Sequence, residues 1–223
     1  MNLLNPFSDS LQVPPNMPSD WIKLPSSFYL KSDVVSLTRE FLGKIIVTTF
    51  DGHITAARIV EAEAYAGVND RASHAYNGRR TARTEIMYCE GGTAYVYLCY
   101  GMHNLFNVIV NERDVPHGIL IRAAEPLLGI EQMLIRTGKI SVDDRTLTKG
   151  PANVCKALGI RVSHTGLSLL NSQIWIASDG FQYQDSEIAI TARIGVNYAG
   201  EDALLPYRFL VRGNRYVSGK KIS

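Results

Sequence analysis

The chain has little that would place it outside the cell or in a membrane. Its 223 residues include only three cysteines, Cys89, Cys99 and Cys155. Three is an odd number, and none sits in a CxxC pair or a Cys/His cluster with zinc spacing. That spacing excludes a disulfide scaffold and a structural zinc site, and it fits free thiols in a reducing, intracellular compartment. No apolar run is long enough to span a bilayer, and Met1 to Asp20 holds Asn, Pro and Ser rather than a basic start and an apolar block. Residues 1–20 therefore read as a poorly ordered leader, with Pro14 and Pro15 discouraging regular structure. An excess of charge of one sign is also lacking, with 23 Lys and Arg against 21 Asp and Glu. The net charge is +2, too small to announce a polyanionic partner by itself.

What is present is ordinary for one globular domain, 21–223, with 46% hydrophobic and 20% charged residues. The basic residues are unevenly placed. Arg71, Arg79, Arg80 and Arg83 crowd one loop, and Arg208, Arg212, Arg215, Lys220 and Lys221 lie near the end. Such patches are what phosphate contacts require, and they are equally what a solvated surface displays.

The periodicity predicts an α+β fold with a mainly antiparallel curved sheet, peripheral helices and a protruding hairpin. Ser32 is the expected cap of a first helix running to Glu40. Two strands follow, joined by the turn Asp51-Gly52. Residues 66–92 form a long polar loop. Strands return in 93–100, 102–112 and 118–126, the first two meeting at Tyr100-Gly101-Met102. Pro126 is expected to open a helix, and a shorter one runs from Pro151 to Leu158 and stops at Gly159. Further strands are expected in 167–176 and 188–194.

Two segments carry chemistry. In RIVEAEAY, 58–65, alternation puts Glu61 and Glu63 on one strand face. Carboxylates among apolar neighbours gain proton affinity and can serve as general bases. Spacing alone favours a solvated edge strand, and it does not tell Glu61 from Glu63. In GTAYVYLCYGMHNLFNVIVN, 92–111, Tyr95 and Tyr97 share a face and are by themselves ordinary core residues. The tip is less ordinary. Tyr100, Met102 and His103 occupy a turn where polar residues are usual, and apolar tips of this kind are inserted between base steps from the minor groove. Asn107 and Arg122 interrupt apolar strands, so each needs buried hydrogen-bond partners; Glu125 and Glu63 are candidates for Arg122. His74 is a lone loop histidine without clustered partners, which argues against a metal. Lys149 and Gly150 precede a helix start, a place that attracts anions without being specific for them.

Read together and in order, six segments closely resemble the alkyladenine (3-methyladenine/hypoxanthine) DNA glycosylases. They are LGK at 42–44, RIVEAEAY at 58–65, DRASHAYNGRRTAR at 70–83, GTAYVYLCYGMHNLFNV at 92–108, ILIRAAEP at 119–126 and LTKGPANVCKAL at 147–158. The resemblance runs from roughly Phe28 to Gly159. It implies a monofunctional enzyme of base excision repair, a monomer without metal or cofactor, acting on damaged purines flipped out of double-stranded DNA.

The resemblance also implies residue roles. Glu63, rather than Glu61, matches the general base for water, and Arg122 its positioning partner. Tyr65, His74 and Tyr97 match the pocket that sandwiches the flipped base, with the backbone amide at His74 reading the purine edge. Asn107 matches the guard against the guanine amino group. Tyr100 matches the residue that fills the gap in the duplex, with Met102 beside it, and His103 lies where relatives often carry an aromatic ring. Arg79, Thr81, Arg83, Lys149 and Gly150 fall in segments that look like phosphate contacts. Tyr76 and Asn77 depart from the better-known animal enzymes. Two rivals stay open at this point. A non-catalytic nucleic-acid binder could keep the scaffold, and a nucleosidase would need neither the wedge nor the arginine loop.

Overall fold

The computed structural model describes residues 17–219. The leader positions 1–16 and the tail lysines Lys220 and Lys221 lie outside the described residues. Met17, inside the expected leader, packs with Trp21 against Ile45, Val47 and Trp175.

The strands are β1 (Ile22–Lys23), β2 (Ile45–Phe50), β3 (His53–Tyr65), β4 (Thr93–Cys99), β5 (His103–Val110), β6 (His117–Leu128), β7 (Ile174–Ser178), β8 (Ile188–Thr191) and β9 (Arg208–Val211). The helices are α1 (Ser26–Tyr29), α2 (Val34–Phe41), α3 (Ile130–Thr137) and α4 (Pro151–Leu158). All strands join one curved antiparallel sheet in the order β1-β7-β2-β3-β6-β5-β4, with β9 pairing both β3 and β8. The expected α+β class is the observed one.

Strand β3 is the axis of the site. It pairs with β6 along one side, while the other side pairs first with β2 and then, from Glu61 to Glu63, with β9. The solvated edge strand is thus excluded: β3 is interior, and Glu61 and Glu63 are both 0% exposed. In the β3–β6 register Glu61 faces Ala123 and Ala62 faces Ile121, so Arg122 falls at a bulge without an opposing residue. A bulge re-aims the side chain it carries. Here it turns Arg122 toward both carboxylates.

Several local expectations need correction. Asp33, not Ser32, caps α2; its carboxylate accepts from the Val35 and Ser36 amides, so an acidic side chain takes the two orphan donors. Pro126 does not open a helix. It lies in β6 opposite Ala57 at another register shift, and α3 starts four residues later behind Gly129. Gly129 has φ 72°, and a Cβ there would stand 2.2 Å from the Ile54 carbonyl oxygen, so only glycine permits this entry. The late strands are shorter than expected, and β1 and β9 go unseen in the sequence pattern because each is at most four residues long. Helix α4 has the expected bounds, with Pro151 first and Gly159 in the left-handed region.

Candidate active site

The buried centre is a charge network. Arg122 donates from Nε to Glu61 Oε1 at 3.1 Å and from Nη1 to Glu63 Oε2 at 3.2 Å. Of the two partners foreseen for it, Glu63 is correct. Glu125 instead accepts from Asn214 Nδ2. Glu61 is held further by Arg208 Nε at 2.7 Å, the Ser218 amide at 2.6 Å and the Ser218 hydroxyl at 2.8 Å. Arg208, read from the sequence as part of a basic tail, is therefore a buried structural cation. It cannot serve as a surface phosphate contact.

Glu63 is held differently. Its Oε1 accepts from the Ile194 amide at 2.8 Å, and its Oε2 from the Tyr65 hydroxyl at 3.0 Å as well as from Arg122. A carboxylate offers about four lone-pair sites, so one remains, on Oε1, after the three donors found among the described residues. Burial pushes its proton affinity up; Arg122 and the other donors oppose that shift without cancelling it. The Ile194 amide is itself fixed from behind. The neighbouring Arg193 pairs with buried Asp70 at 2.5 and 2.8 Å, donates to the Ala64 carbonyl, and lies over the Tyr65 ring at 4.9 Å.

Above this network lies a cavity of about 420 Å³. Tyr65, His74, Tyr95 and Tyr97 give it aromatic walls, and Asn107 and Arg122 line it as well. Glu63 does not line the cavity; it sits beneath Tyr65, Arg122 and Ile194, which do. His74 Nδ1 is 2.9 Å from the Tyr95 hydroxyl, and its ring meets Tyr97 edge-on at 4.7 Å. Burial first, then Arg83 and Arg79 nearby, lower the His74 pKa to about 4, which keeps the imidazole neutral near pH 7. Asn107 donates to the Tyr95 carbonyl at 3.3 Å, which fixes its amide beside the aromatic wall.

The β4–β5 tip closes one side of the mouth. Tyr100 is 88% and Met102 70% exposed, and His103 is exposed too. Tyr100 has φ 52° and Gly101 φ 72°, the paired left-handed conformation of a tight hairpin turn. A tyrosine held there costs about 1–2 kcal/mol relative to glycine.

The remaining sequence candidates divide. Arg79, Thr81 and Arg83 are exposed on the loop beside the cavity, and Arg83 lies over the Tyr97 ring at 5.1 Å. Arg80 is committed to Glu85 and Asp114. Lys149 and Gly150 lie outside the cavity at the start of α4, with Lys149 on a small groove that also carries Arg145 and Arg215. Sequence reasoning missed Asp70, Arg193, Ser218 and the Ile194 amide. Arg193 carried a signal, since like Arg122 it interrupts an apolar stretch. Ser218 carried none, because it meets Glu61 only through a contact 157 residues apart in sequence.

The family description methylpurine-DNA glycosylase (MPG) matches residues 27–215. A Chlamydia abortus protein named "Putative 3-methyladenine DNA glycosylase" is 44% identical over 188 residues, 84% of this chain and 97% of its own length. Proteins of the same name from Clostridium perfringens and Bacillus cereus are 40% and 41% identical, each over 206 residues, 89% of this chain and 100% of their own. With a match this long and a cavity of this build, the chain belongs to the methylpurine-DNA glycosylase family.

Proposed function

We propose that the protein is a monofunctional DNA glycosylase of base excision repair, in which Glu63 activates the water that releases a damaged purine from duplex DNA. The observation that carries this reading is the placement of a fully buried carboxylate, with one free lone-pair site, beneath an aromatic-walled cavity beside an exposed wedge. The substrate class is alkylated and deaminated purines: 3-methyladenine, 7-methylguanine, hypoxanthine and ethenoadenine.

Extruding a base costs a few kcal/mol, least for a damaged or mispaired one. Tyr100 and Met102 fill the space it vacates, and stacking on Tyr65, Tyr97 and His74 offsets part of the cost. As the N-glycosidic bond breaks, positive charge develops on the sugar. Glu63 stabilises that charge and takes the proton of a water on Oε1, while Arg122 and the Ile194 amide hold the carboxylate in place. The electron pair of the broken bond leaves with the purine, and the water oxygen bonds to the anomeric carbon. Water reaches Glu63 when the Tyr65 hydroxyl yields. Asn107, fixed on the Tyr95 carbonyl, bars the guanine amino group. Arg79, Thr81, Arg83, Lys149 and Gly150 meet phosphates, and the protein acts as a monomer.

The test is single-turnover excision from duplex oligonucleotides that each carry one of the four lesions. Glu63→Gln abolishes release and retains binding to abasic duplex; turnover by that variant refutes the role of Glu63. A borohydride-trapped adduct with DNA would overturn the monofunctional assignment.

A further inference from the structure

A second cavity, also about 420 Å³, lies against the same hairpin tip. The two share no lining residue: Leu98, Cys99 and Tyr100 line the first, and Met102, His103 and Asn104 the second. The rest of the second wall comes from α3, α4 and the segment 159–161 that follows α4, and it carries three cations: Arg136, Lys156 and Arg161.

These cations are held in different ways. Arg136 is fixed by donating to Thr55 Oγ1 at 3.1 Å, the Ala157 carbonyl at 3.2 Å and the Phe50 carbonyl at 3.0 Å. It packs so closely on Gly159 that a Cβ there would stand 2.8 Å from its Cζ. Lys156 donates to the Thr137 carbonyl at 3.1 Å, leaving protons of its ammonium for another acceptor. Arg161 is exposed and pairs with Asp51 at 3.2 Å. Among the described residues, no other ion pair joins a carboxylate to this trio. Three cations against one carboxylate give the cavity a positive charge in the free protein.

We propose that this second cavity is a phosphodiester site for the strand opposite the damaged one. The proposal rests on the glycosylase reading above. A wedge entering a duplex has one strand on each flank. The flank with Tyr100 and the base cavity takes the strand that gives up its nucleotide. The flank with Met102 and His103 then faces the other strand, where Lys156 and Arg161 meet its backbone and the fixed Arg136 adds charge without reorganising.

A double-mutant cycle on binding tests the site. Wild type, Arg161→Ala, Lys156→Met and Asp51→Asn are titrated with a lesion duplex in which single phosphates of either strand are replaced by neutral methylphosphonates. Arg161→Ala and Lys156→Met are expected to weaken binding about threefold to tenfold and to lower the salt slope by about one. Asp51→Asn, which removes the one opposing charge, is expected to tighten binding. Neutralising the opposite-strand phosphate that Arg161 meets should cost wild type as much as the arginine loss does, and cost Arg161→Ala nothing more. Full additivity at every opposite-strand phosphate overturns the site, as does non-additivity confined to the lesion strand. If wild type binds lesion and undamaged duplexes alike, the glycosylase reading itself fails. Lesion preference with an additive cycle sinks this inference alone.

Discussion

Glu61 and Glu63 share one guanidinium, Arg122, yet Glu61 also takes Arg208 and both polar groups of Ser218, while Glu63 takes only neutral donors besides. Two acids two residues apart on one strand are thereby held in different ways. Glu61 is the counter-ion of two arginines and takes four donors, whereas Glu63 takes three donors and has an elevated proton affinity.

Neutralising the two acids should therefore have unequal consequences for stability. Glu61→Gln strands Arg208 and half of Arg122 without an anion, and breaking a buried pair in this way costs about 3–5 kcal/mol. Glu63→Gln removes a carboxylate whose charged form burial disfavours, so stability at pH 7 should hold or rise. Denaturant titration of both variants decides it; equal losses would mean that Arg122 treats the two acids alike.

Glu63 also sets a pH dependence. Its affinity for a proton is higher in the folded chain than in the unfolded one, so its favourable contribution is complete below the ordinary carboxylate value and is lost as pH rises through the folded value. On the proposed function excision needs the ionised form, so its acid limb should lie above the range of an ordinary glutamate. Rate against pH under single turnover reads this directly, and an acid limb at the ordinary value would count against Glu63 as the base.

His74 contributes with the opposite sign. Its folded pKa of about 4 lies below the ordinary 6.5, so the unfolded chain binds a proton first as pH falls. The stability of a neutral His74 is present above about 6.5 and is lost progressively down to about 4. Melting curves across that window should show His74→Gln losing less on acidification than wild type. Parallel curves would show that another group governs the acid limb.

At the hairpin tip, function and stability should separate. Tyr100→Gly relieves the left-handed conformation at a ring already 88% exposed, so the variant should be as stable as wild type or more so. On the proposed function it should lose lesion-specific binding about tenfold or more, since base stacking is worth about 1–3 kcal/mol. A clearly destabilised Tyr100→Gly would show that the ring serves the fold.

The Arg193–Asp70 pair should act on Glu63 at a distance. Asp70→Asn leaves Arg193 buried against a neutral partner and frees the segment that presents the Ile194 amide. We expect a loss of about 3–5 kcal/mol in stability, together with an excision pH profile moved further up as Glu63 loses a donor. A stability loss with an unmoved pH profile would limit the pair to a structural role.

Much of this was legible in the sequence where local rules act. The turn at Asp51-Gly52, the hairpin tip and the Pro151–Leu158 bounds of α4 follow from backbone preferences of single residues. The ordered segments with Glu63, Tyr65, His74, Tyr97, Asn107 and Arg122 also marked which side chains would meet around one site. Two kinds of feature escaped. Pro126 looked like a helix start because its tolerated place in β6 depends on a register shift against β3, which no local pattern encodes. The acids looked like an edge because alternation assumes one solvated face.

The residue types and their order thus carried the family resemblance and named the candidate residues by themselves, through local conformational preference and matching motifs. Only the tertiary structure decided how Glu61 differs from Glu63. That difference comes from β9 and Ser218 closing over β3 from the far end of the chain, and from a bulge that aims Arg122 between the two acids. Burial and long-range pairing govern the charge of a carboxylate, and neither is written in the eight residues around it.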